Sequence, residues 1–428
     1  MNTWVTSIKV KWWLAAAKRE RKRYPRALQF LQKVIEAQPS NALALVQAGH
    51  CLTELGRYDE AIDSFEKALQ IAPGYDEPHA YLAVAYRQLG RNQEALESLN
   101  RAFRITPKLK LKVFWLFQLG SVCGRLGLWN DALEAFQDEA KLNPKDASAW
   151  EGIGWACGFL GRDSEAIDAY LRAQQLSPAR ESLHYDLGLA YLRLKEFQKA
   201  AQCLRAYIKL RPDDAKGFYD LGYVVAEEGD FKDAFNLILR ASKLEPKNAI
   251  FRFNLGLVYS ELGRHEEAAA SFEEAIQLDP NDSGSYSRLA LSYAQIEKRL
   301  EAIDAAKEGV RLSPGSPEAY LCLGIALHRP ESYGDAVHAY EKSLELASDQ
   351  FEALANLGDA CLQLGRTEEA IKSLDRAATI KSDDVNVHFL LAQSYLRSGN
   401  RENALREYEL LKGLDGSLAE KFGKLLNE

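Results

Sequence analysis

Six cysteines and seven histidines are the side chains of this 428-residue chain best suited to hold a metal or attack a substrate, and their spacing favours neither. Cys51, Cys123, Cys157, Cys203, Cys322 and Cys361 never reach the C-x-x-C separation of a zinc or redox site. His50, His79, His184, His265, His328, His338 and His388 form no metal-ligand motif with acids or cysteines. The phosphate loop G-x-x-x-x-G-K-S/T, the nucleophile elbow G-x-S-x-G and the zinc helix H-E-x-x-H do not occur. Acid pairs such as Glu266-Glu267, Glu273-Glu274 and Glu368-Glu369 read as solvated surface. With no nucleophile, base and orienting group to assemble, the expectation is a protein that is not an enzyme and needs no cofactor or metal.

Charge is concentrated at one end. Residues 1–35 hold nine basic side chains against Glu20 alone, so the remainder of a chain with net charge −7 carries about −15. Lys18, Arg19, Arg21, Lys22, Arg23 and Arg26, preceded by Trp4, Trp12 and Trp13, are candidates for an electrostatic tether to a membrane surface, a nucleic acid or an acidic partner. The competing reading is a charged N-terminal cap whose tryptophans pack on the next element. One short patch on an acidic chain favours the cap. No apolar run approaches the roughly 20 residues of a membrane span, and the stretch Trp12 to Ala17 is too short for a signal peptide, so a cytoplasmic protein is expected.

The elements that must position any site are written in a repeat. Alanine recurs at Ala27, Ala61, Ala95, Ala132, Ala166, Ala200, Ala234, Ala268, Ala302, Ala336, Ala370 and Ala404, every 34 residues apart from one 37-residue step. Twelve residues before each stands glycine or alanine, from Ala15 and Gly49 through Gly358 and Ala392. In the copy from Ala42 to Tyr75, Leu45, Ala48, Gly49 and Leu52 mark one apolar helical face and Ala61, Ile62, Phe65, Ala68 and Leu69 a second. Gly56-Arg57 separates them and Pro73-Gly74 ends them, so each repeat is predicted to be a helical hairpin.

Counting the small residue as position eight and the invariant alanine as position twenty, the two are expected to let the helices cross closely. The aromatic residue common at position 24, such as Phe65, Phe136, Tyr170, Phe272, Tyr340 and Tyr408, is expected beside that crossing. Glu139, Tyr207 and Leu411 depart from the small residue usual at position 27. Pro330 enters the turn of the tenth repeat, and Lys108-Leu109-Lys110 makes the long step. The cysteines at one repeat position, Cys123, Cys157 and Cys361, read as small packing groups.

This pattern resembles the tetratricopeptide repeat over essentially the whole chain, with Asn254-Leu255-Gly256-Leu257-Val258-Tyr259 a close match. The resemblance implies an all-α, right-handed solenoid of about twelve hairpins. A divergent basic repeat or cap is expected over 1–40, eleven repeats over 41–412 and a capping helix over 413–428, with Ser417 opening a capping box.

It also implies a non-enzymatic scaffold or adaptor for a protein or peptide, with no small-molecule substrate, whose first helices present positions 2, 5, 9, 12 and 13 to a groove. Those positions hold Phe114, Phe117, Trp155, Phe159, Tyr185, Tyr219, Tyr223 and Phe253, with Arg125 and Arg193 among them. Aromatic anchors beside arginine suit a peptide, and gap-filling between first helices is the alternative. Position six adds Gln47, Gln118, Asp186, Asp220, Asn254 and Asn356, a series in which Asn254 could hydrogen-bond a partner's backbone or its own molecule.

Overall fold

A single helix cannot cover its own apolar stripe, and a repeat with two such stripes a turn apart covers both by folding back on itself. In the computed structural model, which describes residues 10–11, 13–14, 16–17, 23–108 and 113–426, the described residues from Tyr24 onward form twenty-four helices. No strand occurs among the described residues. The copy read above gives Ala42–Glu54 and Tyr58–Ile71, 13 and 14 residues long, and its neighbours follow suit. The two compact units Met1–Arg211 and Pro212–Glu428 each consist of hairpins packed in chain order.

Glycine sets the turn inside the hairpin. Eight glycines, Gly56 and Gly90 among them, take positive φ where the first helix ends. This left-handed region suits a residue without Cβ. Lys195 (φ 58°) and Glu297 (φ 60°) occupy it with a side chain in place.

The small residue at position eight proves to serve the ring at position 24 directly. A Cβ added to Gly49 would lie 2.6 Å from the Phe65 ring, and one added to Gly256 would lie 2.7 Å from Phe272. The ring therefore stands over the glycine. An aliphatic side chain takes the same place in other repeats, Leu204 over Gly188, Ile238 over Gly222 and Leu374 over Gly358. Neighbouring hairpins are joined by a recurring hydrogen bond from the tyrosine at position 11 to an acid in the preceding second helix. Tyr86 donates to Glu66 at 3.2 Å, Tyr293 to Glu273 at 2.5 Å and Tyr395 to Asp375 at 3.2 Å.

The departures have local answers. Pro330 shortens the first helix of its hairpin to Pro317–Leu327, 11 residues, and Ser332 Oγ satisfies the Leu327 carbonyl at 2.7 Å. Leu109 and Lys110 lie outside the described residues. At the C-terminus the helix Arg401–Leu414 runs through Gly413, and the next, Gly416–Leu425, is capped by Asp415, not Ser417. The Asp415 carboxylate accepts from the N–H groups of Ser417 and Leu418 at 2.8 and 3.0 Å, so the acid one residue before glycine outcompetes the hydroxyl. Phe422 of that helix is fully buried against Tyr408 and Phe389.

Candidate functional site

Within Met1–Arg211, the expected groove residues lie on three successive first helices, Val113–Arg125, Ala147–Phe159 and Glu181–Arg193. Trp155 and Phe159 share a face of the middle helix one turn apart, ring centroids 5.6 Å. Trp129, which opens the helix Trp129–Leu142, stacks flat on Phe159 at 4.1 Å and edge-on to Trp155 at 5.2 Å. Trp155 is half-buried, whereas Phe159 remains 59% exposed. Phe114 packs edge-on against the buried Trp115 at 4.6 Å and is 51% exposed.

Three glycines outside the position-eight rhythm make room for this arrangement. A Cβ on Gly124 would lie 2.5 Å from the Trp155 ring, one on Gly158 would lie 3.0 Å from the Arg193 guanidinium, and one on Gly152 would lie 2.6 Å from Phe136. Gly152 stands at position six, where Gln47, Gln118, Asp186, Asp220, Asn254 and Asn356 stand in other repeats. Its bare backbone leaves a pocket of about 310 Å³ lined by Phe117, Ser121, Phe136, Ser148, Glu151, Gly152, Trp155 and Asp186.

Charges at this pocket are unevenly matched. Arg180 donates to Glu151 at 2.5 Å and to Ser148 Oγ at 3.2 Å, and Ser182 donates to Glu151 at 2.6 Å. Arg193 is bound to Asp163 at 2.5 Å. Asp186 has no such partner; burial and the nearby Glu151 push its carboxyl up to about 7, against the opposing pull of Arg193. Arg125 is exposed at the end of its helix, and burial together with the Arg125 charge lowers the pKa of Arg87. Tyr185 is half-buried, 4.9 Å from Tyr207.

In the unit Pro212–Glu428 the predicted residues are more dispersed. Tyr219 stacks on the buried Phe251 at 4.9 Å, Phe253 leans on Phe272 at 5.6 Å, and Tyr223 is 41% exposed. Asn254 donates to the Ile250 carbonyl of its own helix at 2.8 Å and bonds Tyr219, so part of its capacity is spent at home. A separate pocket of about 430 Å³ includes Asn356, Asp359, Asn386 and Phe389.

One constellation has the residue types of a catalytic triad. His328 contacts Tyr340 Oη at 3.0 Å through Nδ1 and Asp359 at 3.1 Å through Nε2. Tyr340 is fully buried, its hydroxyl out of reach of any substrate, so the chain of bonds secures the shortened helix. His388 is likewise enclosed, with Glu407 at 2.7 Å and the Ser382 carbonyl at 3.0 Å. Cys51, Cys123, Cys157, Cys322 and Cys361 are buried, and burial raises every one of their thiols, Cys123 to about 11 and Cys322 to about 12. Of the basic N-terminal candidates, Lys18, Arg19, Arg21 and Lys22 lie outside the described residues, and Arg23 and Arg26 are exposed where the helix Tyr24–Ala37 begins. Among the described residues no helix is long and apolar enough to cross a membrane.

Tandem all-helical hairpins with a ring-over-glycine core place the chain among the α-helical repeat proteins. Tetratricopeptide repeat models match residues 7–74, 40–108, 117–181, 185–243 and 219–283, and a further TPR repeat model matches 358–399. The chain belongs to the tetratricopeptide repeat family. No curated protein sequence matches it. The crystal structure of the APC/C hetero-tetramer Cut9-Hcn1 shares its fold, at 14% identity and a TM-score of 0.53, covering 98% of this chain and 96% of that one. Yeast Tom70 aligns at 17% identity over 90% of this chain and 95% of its own, TM-score 0.44. MamA from Desulfovibrio magneticus RS-1 aligns at 22% identity over 40% of this chain and 97% of its own, TM-score 0.39.

Proposed function

We propose that this protein is a non-enzymatic scaffold that holds an extended segment of a protein partner against its first helices. The observation that carries the reading is the set of large rings left in solvent there. Phe114, Phe159 and Tyr223 are each more than two-fifths exposed, at positions where a solenoid without a partner gains nothing from aromatic surface. Each ring is held by a second one or by its helix, so little side-chain entropy is lost on binding. Arg125 and Arg193 are the last residues of their helices; Arg125 is exposed and supplies donors at the rim, while Arg193 is held by Asp163.

The test uses photo-crosslinkers at Phe159 and Tyr223 in the full chain, expressed in its own cell. One protein should be captured at both positions and should copurify with the unmodified chain. Phe159→Ala with Tyr223→Ala should then cut its recovery at least about tenfold, as loss of two interface anchors does. Undiminished recovery rejects the exposed rings of both units as binding sites.

A further inference from the structure

The pocket at Gly152 has a property that the exposed rings do not explain. Its floor is the Phe136 ring and its walls are Phe117 and Trp155, yet a carboxylate, Asp186, enters from the adjacent first helix. An apolar bottom with a single anionic rim matches one class of side chain: a hydrocarbon stem that ends in a positive charge. The other charges nearby are committed. Glu151 is bound by Arg180 and Ser182, and Arg193 by Asp163, which leaves Asp186 as the lining carboxylate with no ion pair among the described residues. The volume, about 310 Å³, is at the lower end of what small-ligand pockets offer and ample for one long side chain.

We infer that this pocket receives a lysine or arginine side chain from the partner, its stem on Phe117, Phe136 and Trp155 and its charged head on Asp186. The inference rests on the scaffold reading and adds the chemistry of one anchor. It follows that the partner segment is basic at the point where it crosses Ala147–Phe159. A charge-assisted bond in a partly dehydrated pocket also gives binding a pH dependence. Burial and Glu151 hold the Asp186 carboxyl up at about 7, with Arg193 opposing, so the anionic form that receives a cation increases as pH rises from 6 to 8. The groups facing Asp186 are Glu151 and Tyr170 on neighbouring helices and Arg193 on its own helix; burial first, and then the Asp186 charge, push the Tyr170 hydroxyl well above its ordinary value, so it stays neutral.

The experiment follows the Trp155 resonance by fluorine NMR in full-length protein carrying 5-fluorotryptophan, assigned with Trp155→Phe. The probes are acetylated, amidated pentapeptides Gly-Gly-X-Gly-Gly, where X is arginine, lysine, norleucine or glutamate. Arginine and lysine peptides should shift the resonance, more strongly at pH 8 than at pH 6, while norleucine and glutamate peptides should not. Asp186→Asn should weaken the response about tenfold or more and abolish its pH dependence. Ser121→Lys, which tethers an ammonium in the pocket, should block it while the thermal melt stays unchanged.

An equal response to norleucine, or an undisturbed response in Asp186→Asn, overturns the cationic anchor. The scaffold reading is judged separately. If Phe159→Ala with Tyr223→Ala abolishes copurification of the partner and Asp186→Asn leaves it whole, the scaffold reading stands and the anchor falls.

Discussion

Glu139 stands at position 27, where most repeats carry a small residue, and it is 1% exposed with Oε2 lacking a hydrogen-bond partner among the described residues. Burial, aided by Asp146, lifts its carboxyl to about 7. The sign follows from linkage: a folded-state value above the unfolded one favours the protonated fold, so the contribution is complete below about pH 4.5. It is lost as pH rises through 7. The cost at pH 8 is roughly 3 kcal/mol. Glu139→Gln, which cannot ionise, should raise the urea midpoint of the unit Met1–Arg211 at pH 8 and change it little at pH 5. The same increment at both pH values would mean that Glu139 is not held neutral. The departure at 139 was legible in the sequence as an exception to a rule. Its physical consequence was not, because position 27 faces neighbours that only packing reveals.

At the scale of the hairpin, most of the architecture was legible because each element's start and stop signals repeat. Leu45, Ala48, Gly49 and Leu52 do form the buried face of Ala42–Glu54, and Gly56 does end it. Of the residues expected to form a groove on Val113–Arg125 and Ala147–Phe159, Phe117 and Trp155 line one pocket and Trp155 packs on Phe159. Trp129 was missed, since it opens a second helix and the family's groove rule counts only first helices. The pocket was also missed, although Gly152, which lies off the position-eight rhythm and lines it, was its visible signal. The hydrogen-bond partners of Glu151 lie about 30 residues away in sequence, across a hairpin, where no spacing rule reaches.

The turn offers a direct test at this scale. Lys195 and Glu297 hold the left-handed conformation that glycine holds in eight other hairpins. For a residue with Cβ this conformation costs about 1–2 kcal/mol, so Lys195→Gly and Glu297→Gly should each stabilise their hairpins by about 1 kcal/mol, read as a higher denaturation midpoint. A loss of stability in both would show that the side chains at these turns contribute more than the backbone strain they impose.

For the molecule as a whole, the packing of hairpins chiefly on their chain neighbours within each unit makes stability a sum of hairpin terms and nearest-neighbour interfaces. A lesion in one hairpin should therefore be felt locally and fade along the chain. Tyr340 is a suitable lesion: it is fully buried, its ring stands over Gly324, and its hydroxyl bonds His328 at 3.0 Å. Tyr340→Ala should cost roughly 3–5 kcal/mol, the range for removing a large buried ring. In hydrogen exchange read by mass spectrometry, amides of Pro317–Leu327 and Tyr333–Leu346 should exchange about a hundredfold faster or more. The flanking helices Arg299–Leu312 and Phe351–Gln363, packed directly on them, should lose part of that protection. Peptides from residues 42–105 should be unchanged. A uniform loss across all peptides would show instead that the chain opens as one cooperative body, and partner binding would then have to be sought in a global transition and not in a surface already formed.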